Sequence, residues 1–300
     1  TLGDTTLEVV RTIAELRQHT SRWRIAGQTI GLIPTMGALH NGHLSLIKLA
    51  QEKCDRVIAT IFVNPRQFLP NEDFDEYPRN EESDIQKLIE MGVDLLFAPK
   101  APEMYQPDAS TTVVISKLTD CLCATSRPGF FDGVGTVVTK LLIQALPDLA
   151  IFGEKDYQQL LVIKRLTRDL DIPVEIIGAP TIREADGLAV SSRNVFLSQT
   201  NRETASKVFE ILKKTATAIS LGNDVLAACK EARKELILAG LSEIDYFEAR
   251  HSETLELIQN FENNGRLFAA VWLGSTRLID NLEIKAVSYT HLTMPTTRHG

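Results

Sequence analysis

Between Thr29 and Pro180 the chain repeats one rhythm: a short apolar run rich in β-branched residues, a turn, then a stretch with helical spacing. TIGLIPT, RVIATIFV, VDLLFAP and LAIFGE read as strands, and HLSLIKLAQEKC and DYQQLLVIKRLTRDL as helices among them. Strands that are apolar along their whole length are covered on both faces, and crossovers through a helix return the next strand parallel to the last. The pattern therefore predicts a parallel sheet, whose ligands bind beyond the carboxyl ends of its strands. After VEIIGAPTIREADG the texture changes. Two long helical stretches, Ser198 to Leu221 and Asn223 to Gly240, precede EIDYFEAR, GRLFAAVWLG and TRLIDNLEI, the pattern of a second, smaller α+β domain. The expected boundary falls near Ile182. Residues 286–300, rich in Thr and without either period, read as a disordered tail or a cloning scar, and Thr1 in place of an initiator Met points the same way.

Composition narrows the partners. Lys and Arg number 32 against 39 Asp and Glu, and a net charge of -7 opposes general affinity for nucleic acid or an anionic membrane. The chain lacks an apolar run of the roughly 18 residues that span a bilayer, and its first twenty residues carry charge throughout. Four cysteines without a C-x-x-C pair favour neither a disulfide framework nor a zinc site, which makes a reducing cytoplasm the simplest compartment.

Four segments carry candidate chemistry. In PTMGALHNGH, Gly37 and Gly42 stand at P-loop spacing, but His43 and Leu44 follow where that loop needs Lys and then Ser or Thr. What remains is H-x-G-H at a helix mouth: Gly42 would let the backbone approach a ligand, and His40 and His43, as imidazolium donors, would meet phosphate oxygens. The bland alternative is two helix-entry histidines bonded to nearby carbonyls. FGEKDYQQL follows a strand, so Gly153, Lys155 and Asp156 are expected beside that first site, with room at Gly153 for a base or ribose, an acceptor at Asp156 and a point charge at Lys155. Here the alternative is an N-cap Asp beside a solvated Lys. In AVSSRN, Ser191, Ser192 and the Arg193 fork could hold a leaving pyrophosphate. In IFVNPRQF, Asn64 and Gln67 offer neutral amides at a strand end, and the acids from Glu72 to Asp84 read chiefly as a solvated loop, with Asp84 the candidate for a magnesium contact.

PTMGALHNGH, FVNPRQF, GEKDYQQL and READGLAVSSRN, in this order, resemble the pantoate–β-alanine ligase family of the HIGH-motif nucleotidyltransferase superfamily, over roughly Leu7 to Asn281. The resemblance implies an α/β fold, with a Rossmann-like doubly wound parallel-sheet domain (residues 1–181) for nucleotide and pantoate and a smaller α+β lid (182–285). It implies a cytoplasmic homodimer that uses ATP with Mg2+. The reaction would have two halves: pantoate attacks the α-phosphorus of ATP to give pantoyl adenylate and pyrophosphate, then β-alanine displaces AMP to give pantothenate. ATP would meet Met36, Gly37, Ala38, Leu39, His40, Asn41, Gly42 and His43, then Gly153, Glu154, Lys155 and Asp156, then Ile182, Val190, Ser191, Ser192 and Arg193. His43, His40, Lys155 and Arg193 would carry the chemistry, with His43 the proton donor. Gln67 and Gln159 would hold pantoate, and Gln67 β-alanine as well. Transfer at phosphorus asks chiefly for positioning and electrostatic stabilisation, which this set can supply.

One loop departs from the family pattern. RPGFFDG has Phe130 where the family has His, which predicts a missing polar contact, and the preceding CLCATS leaves the role of Arg127 open. Two rivals stand beside this reading: another HIGH-superfamily nucleotidyltransferase, and a catalytically silent nucleotide-binding regulator. Gln67 and Gln159 favour a neutral or carboxylate substrate over a phosphate, and retention of both histidines, Lys155 and Arg193 opposes the regulator.

Overall fold

The structure is a computed structural model that describes residues 7–70, 72 and 74–286. Of the expected tail 286–300, all but Ala286 lies outside the described residues.

Strands β1 (Glu8–Val10), β2 (Ile30–Thr35), β3 (Arg56–Ile61), β4 (Leu95–Phe97), β5 (Leu149–Gly153) and β6 (Glu175–Ala179) form a parallel sheet in the order β1-β4-β3-β2-β5-β6. The helices between and after them are α1 (Ile13–Ile25), α2 (Asn41–Lys53), α3 (Glu81–Glu90), α4 (Ala101–Met104), α5 (Cys123–Ser126), α6 (Phe130–Ala145), α7 (Tyr157–Asp169), α8 (Gln199–Ala205), α9 (Lys207–Ser220) and α10 (Val225–Leu238). Successive strand residues point to opposite faces, so each apolar run feeds two cores. Leu32, Ile58, Leu95 and Phe97 pack with Leu16 and Trp23 of α1 and Val134, Val138 and Leu142 of α6. Their neighbours Ile33, Val57, Ala59 and Leu96 pack on the other face with Ile47 and Ala50 of α2 and Leu88 of α3. Burying each such Leu or Ile is worth about 1.5–3 kcal/mol, which is why runs without alternation fold as covered strands.

The chain order reverses between β2 and β5, which lie side by side through Gly31↔Leu149 and Leu32↔Ala150. That switch point opens a crevice beyond the strand ends. Pro34 suits it. Thr35 turns its backbone toward β3, accepting from Phe62 N–H at 3.1 Å, so the nitrogen of Pro34 faces the β5 side, where pairing has already ended and a donor would lack a partner.

The remaining strands β7 (Glu243–His251), β8 (Gly265–Leu273) and β9 (Thr276–Ile284) form an antiparallel meander. Leu212, Ala216 and Ile219 of α9 and Cys229, Ala232 and Leu236 of α10 cover it through Phe247, Leu267, Ala269 and Val271. The first expected helical stretch, Ser198 to Leu221, is two helices, α8 and α9, that meet at Ser206. This sheet also touches the first: Tyr246 and Phe268 pack with Val162 and Leu166 of α7, and Asn281 Nδ2 donates to the carbonyls of Glu154 and Lys155, both at 2.9 Å.

Candidate active site

A cavity of about 870 Å³ lies over the ends of β2 and β5 and reaches β9. Its walls include Met36, His40, Gly42, His43, Gln67, Gly153, Lys155, Asp156, Gln159, Ile182, Val190, Ser191, Ser192 and Arg193, drawn from all four motifs. Four members of the first motif stay out of its lining. Gly37 and Ala38 form a turn behind the wall with φ of +81° and +51°, Leu39 is buried in the core, and Asn41 is exposed at the helix start. Glu154 also lies aside, its Cγ against Gly178.

Asp84 explains the turn. It is 2% exposed, and its two carboxylate oxygens accept from the N–H groups of Ala38 and Leu39, both at 2.8 Å. The expected magnesium contact is therefore corrected: both oxygens hold the loop. Lys87 Nζ donates to Leu39 O at 2.7 Å and completes the anchor. Among the described residues no group of three His, Cys, Asp or Glu is placed to hold a metal ion.

The histidines cap α2 reciprocally. His40 Nδ1 accepts from Gly42 N–H at 3.1 Å, and His43 Nδ1 accepts from His40 N–H at 3.3 Å. A ring that accepts at Nδ1 while neutral carries its proton at Nε2. Burial, aided by the positive charge of Lys155, lowers the His40 pKa to about 4. Burial, with His40 and Lys155 adding to it, lowers that of His43 to about 3. At neutral pH both rings are therefore neutral Nε2–H donors, which corrects the imidazolium expected from the helix N-terminus. Gly42 lines the cavity and also makes room for the cap, since a Cβ there would lie 2.8 Å from the His40 ring.

The second motif behaves otherwise than its bland alternative. Asp156 makes no side-chain cap bond at α7, and Lys155 has a side chain only 20% exposed, with its ammonium 3.9 Å from Asp156. A Cβ on Gly153 would meet nothing within 4 Å, so that backbone is open toward the cavity. In the third motif Val190 N–H donates to Ile182 O at 3.0 Å, Ser191 Oγ accepts from Arg193 N–H at 3.3 Å, and Ser192 Oγ lies 3.4 Å from Tyr77 OH.

Asn64 and Gln67 part company. Asn64, 1% exposed, spends its side chain inside the protein: Nδ2 donates to Gln67 Oε1 at 2.9 Å and Gly133 O at 3.1 Å, while Oδ1 accepts from Tyr105 OH at 2.9 Å. Gln67 is thereby oriented, its Nε2 toward Met36 Sδ at 3.2 Å on the cavity wall. Gln158 and Gln159 divide similarly: Gln158 bonds the backbone of Leu118, Cys121 and Cys123, and Gln159 lines the cavity.

Arg127 and Phe130, in the loop whose Phe130 departs from the expected pattern, form one unit. Arg127 grips both carboxylate oxygens of Glu72 at 2.5 and 2.6 Å, and its guanidinium lies 3.7 Å over the Phe130 ring. The expected missing polar contact is replaced by stacking. Sequence reasoning also missed Gly133 and Asn281. The sequence trace of Asn281 is the adjacent polar pair Asp280–Asn281 between the apolar pairs Leu278–Ile279 and Leu282/Ile284, where Asp280 takes Arg183 at 2.6 Å.

The description "Pantoate-beta-alanine ligase" belongs to the family model that matches residues 8–283. The chain is 52% identical to the pantothenate synthetase of Caulobacter vibrioides over 279 residues, covering 92% of this chain and 98% of that one. It is 50% identical to that of Roseobacter denitrificans, with 93% and 98% covered. The crystal structure of pantothenate synthetase from Thermus thermophilus superposes with a TM-score of 0.88 at 43% identity, covering 93% and 99%. The pantoate-beta-alanine ligase of Francisella tularensis, complexed with beta-gamma ATP and beta-alanine, gives 0.79 at 37% identity, covering 94% and 99%. With a match this long in sequence and in fold, the chain belongs to the pantoate–β-alanine ligase family.

Proposed function

We propose that the cavity at the β2–β5 switch point joins pantoate to β-alanine at the expense of ATP. The family match over residues 8–283 carries this reading, and the donors around the cavity fit its chemistry. In the first half-reaction a pantoate carboxylate oxygen bonds to the α-phosphorus, the bond from that phosphorus to the bridging oxygen breaks, and pyrophosphate leaves. In the second, the β-alanine nitrogen bonds to the acyl carbon, loses a proton, and AMP leaves with the electron pair of the acyl–oxygen bond.

ATP meets Met36, His40, Gly42 and His43, then Gly153, Lys155 and Asp156, then Ile182 and Val190 to Arg193, with the base beside open Gly153. His40 and His43 give neutral Nε2–H bonds to phosphate oxygens, Lys155 a point charge and Arg193 a fork, donors that gain as charge grows on the leaving pyrophosphate. A neutral His43 beside a polyanion is also drawn toward protonation, and so can follow charge as it develops. Gln67 and Gln159 orient pantoate, and Gln67 then meets β-alanine. Magnesium enters as the counter-ion of ATP, with Asp84 reserved for the loop. The unit of residues 182–285 serves as a lid over the adenylate, which water would otherwise hydrolyse. The protein works as a homodimer in the cytoplasm.

Pyrophosphate exchange tests the order of steps. ATP and pantoate without β-alanine should pass labelled pyrophosphate into ATP, ATP and β-alanine without pantoate should not, and His43→Ala should abolish the exchange. Exchange driven by β-alanine alone would overturn the adenylate route.

A further inference from the structure

Arg127, Pro128, Gly129 and Phe130 make one turn. Phe130 N–H donates to Arg127 O at 3.1 Å, and Gly129 adopts φ +81°, ψ -7°. Proline second and a left-handed glycine third define a type II turn, which sets its first and fourth residues side by side. The Phe130 ring, met edge-on by buried Phe131 at 4.9 Å, thus lies beneath the guanidinium of Arg127, whose Cζ is 3.7 Å from its centroid. Of the five N–H donors on Arg127, two hold Glu72 and a further Nη2–H reaches Gln67 O at 3.2 Å. Arg127 therefore ties the segment after Gln67 to α5 and α6 across the cavity wall, and that segment reaches Ser192 through Tyr77. Burial works to raise the Glu72 carboxyl pKa, yet the hydrogen bond and charge of Arg127 outweigh it and bring it below the ordinary value.

We propose that Phe130 is a positioning residue: its ring is the platform that holds Arg127 in the plane needed to clamp Glu72 and the Gln67 carbonyl, and so keeps the acid-binding wall closed to water. Without the ring the guanidinium keeps its charge but gains rotational freedom, and the Gln67 backbone loses its fixed donor. The inference rests on the proposed reaction and predicts two effects. Pantoate KM rises while ATP KM holds, and adenylate leaks to water, so AMP is released in excess of pantothenate.

The test compares Phe130→Leu, of similar bulk without a π face, with Phe130→Tyr and wild type, measuring KM for each substrate and the ratio of AMP to pantothenate. Phe130→Leu should raise pantoate KM about 2- to 30-fold, the span for losing an exposed to desolvated cation–π contact, and lift the AMP ratio above one. Phe130→Tyr should restore both. Glu72→Gln should produce the same excess of AMP, and combined with Phe130→Leu add little to it, because both act through Arg127. Pantoate KM and an AMP ratio equal to wild type in folded Phe130→Leu would overturn the proposal, as would equal defects in the Leu and Tyr variants. A wild-type protein that forms no pantothenate would instead refute the reaction.

Discussion

Gly133 is the position where one methyl group should separate fold from function most clearly. It lies in the first turn of α6, and a Cβ built there falls 2.1 Å from Arg66 O, 2.5 Å from Arg66 C and 2.8 Å from Gln67 N. These are backbone atoms, so no side chain can rotate away. Opening the closest contact to the 3.0 Å that real Cβ atoms respect means moving the Pro65–Gln67 turn by about 0.9 Å. Overpacking of this kind costs about 1–3 kcal/mol, while Ala in place of Gly in a helix returns about 1 kcal/mol. Gly133→Ala should therefore lose only about 0–2 kcal/mol, a fall in Tm of up to about 8 °C in a protein of this size. Catalysis should suffer more, because Gln67 moves with the turn and a displacement of 1 Å can cost about 10²-fold. Steady-state assays should show kcat/KM for pantoate down about that much with KM for ATP near wild type. Gly153→Ala is the contrast: its Cβ meets nothing within 4 Å, so Tm should hold while KM for ATP rises. Wild-type kcat/KM for pantoate in Gly133→Ala would refute the claim that α6 sets the position of Gln67.

Lys155→Ala and Arg193→Ala should each lower kcat by about 10²- to 10³-fold, the usual loss for one preorganised donor, with melting unchanged; near-native turnover in either would remove that residue from the phosphate site. Asp84→Asn turns one of two N–H acceptors into a donor and should destabilise by about 2–3 kcal/mol, seen as a lower urea midpoint, whereas an unchanged midpoint would show the loop to be held elsewhere. His40 and His43 have folded pKa values of about 4 and 3, below the ordinary 6.5, so between pH 6.5 and those values the unfolded chain binds protons that the native site does not. Stability should accordingly fall with acid through that window, and less steeply in His43→Asn. Imidazole ¹⁵N shifts at pH 5.5 should report neutral rings protonated at Nε2 in the free protein, and an imidazolium signal from His43 would contradict the burial argument.

The sequence by itself determined the parallel sheet, because strands covered on both faces read as unbroken apolar runs, and it placed PTMGALHNGH and GEKDYQQL at strand ends. Neither β1 nor α6 was legible, since three residues of strand are too short to show a period and α6 buries Thr136, Thr139 and Gln144 together with its apolar residues, which blurs the helical spacing. What lay beyond reach were contacts between residues far apart in the chain. Asp84 looked like a metal ligand until folding brought it to two backbone amides 45 and 46 positions away. The two histidines at the helix mouth read as charged, because the desolvation of a ring is set by what packs around it. Asn64 and Gln67 are three residues apart and alike in chemistry, yet only the packing of α6 decided which one faces inward and which lines the cavity. Residue type and short spacing specify local geometry; the direction of a side chain and the charge it carries are properties of the assembled core.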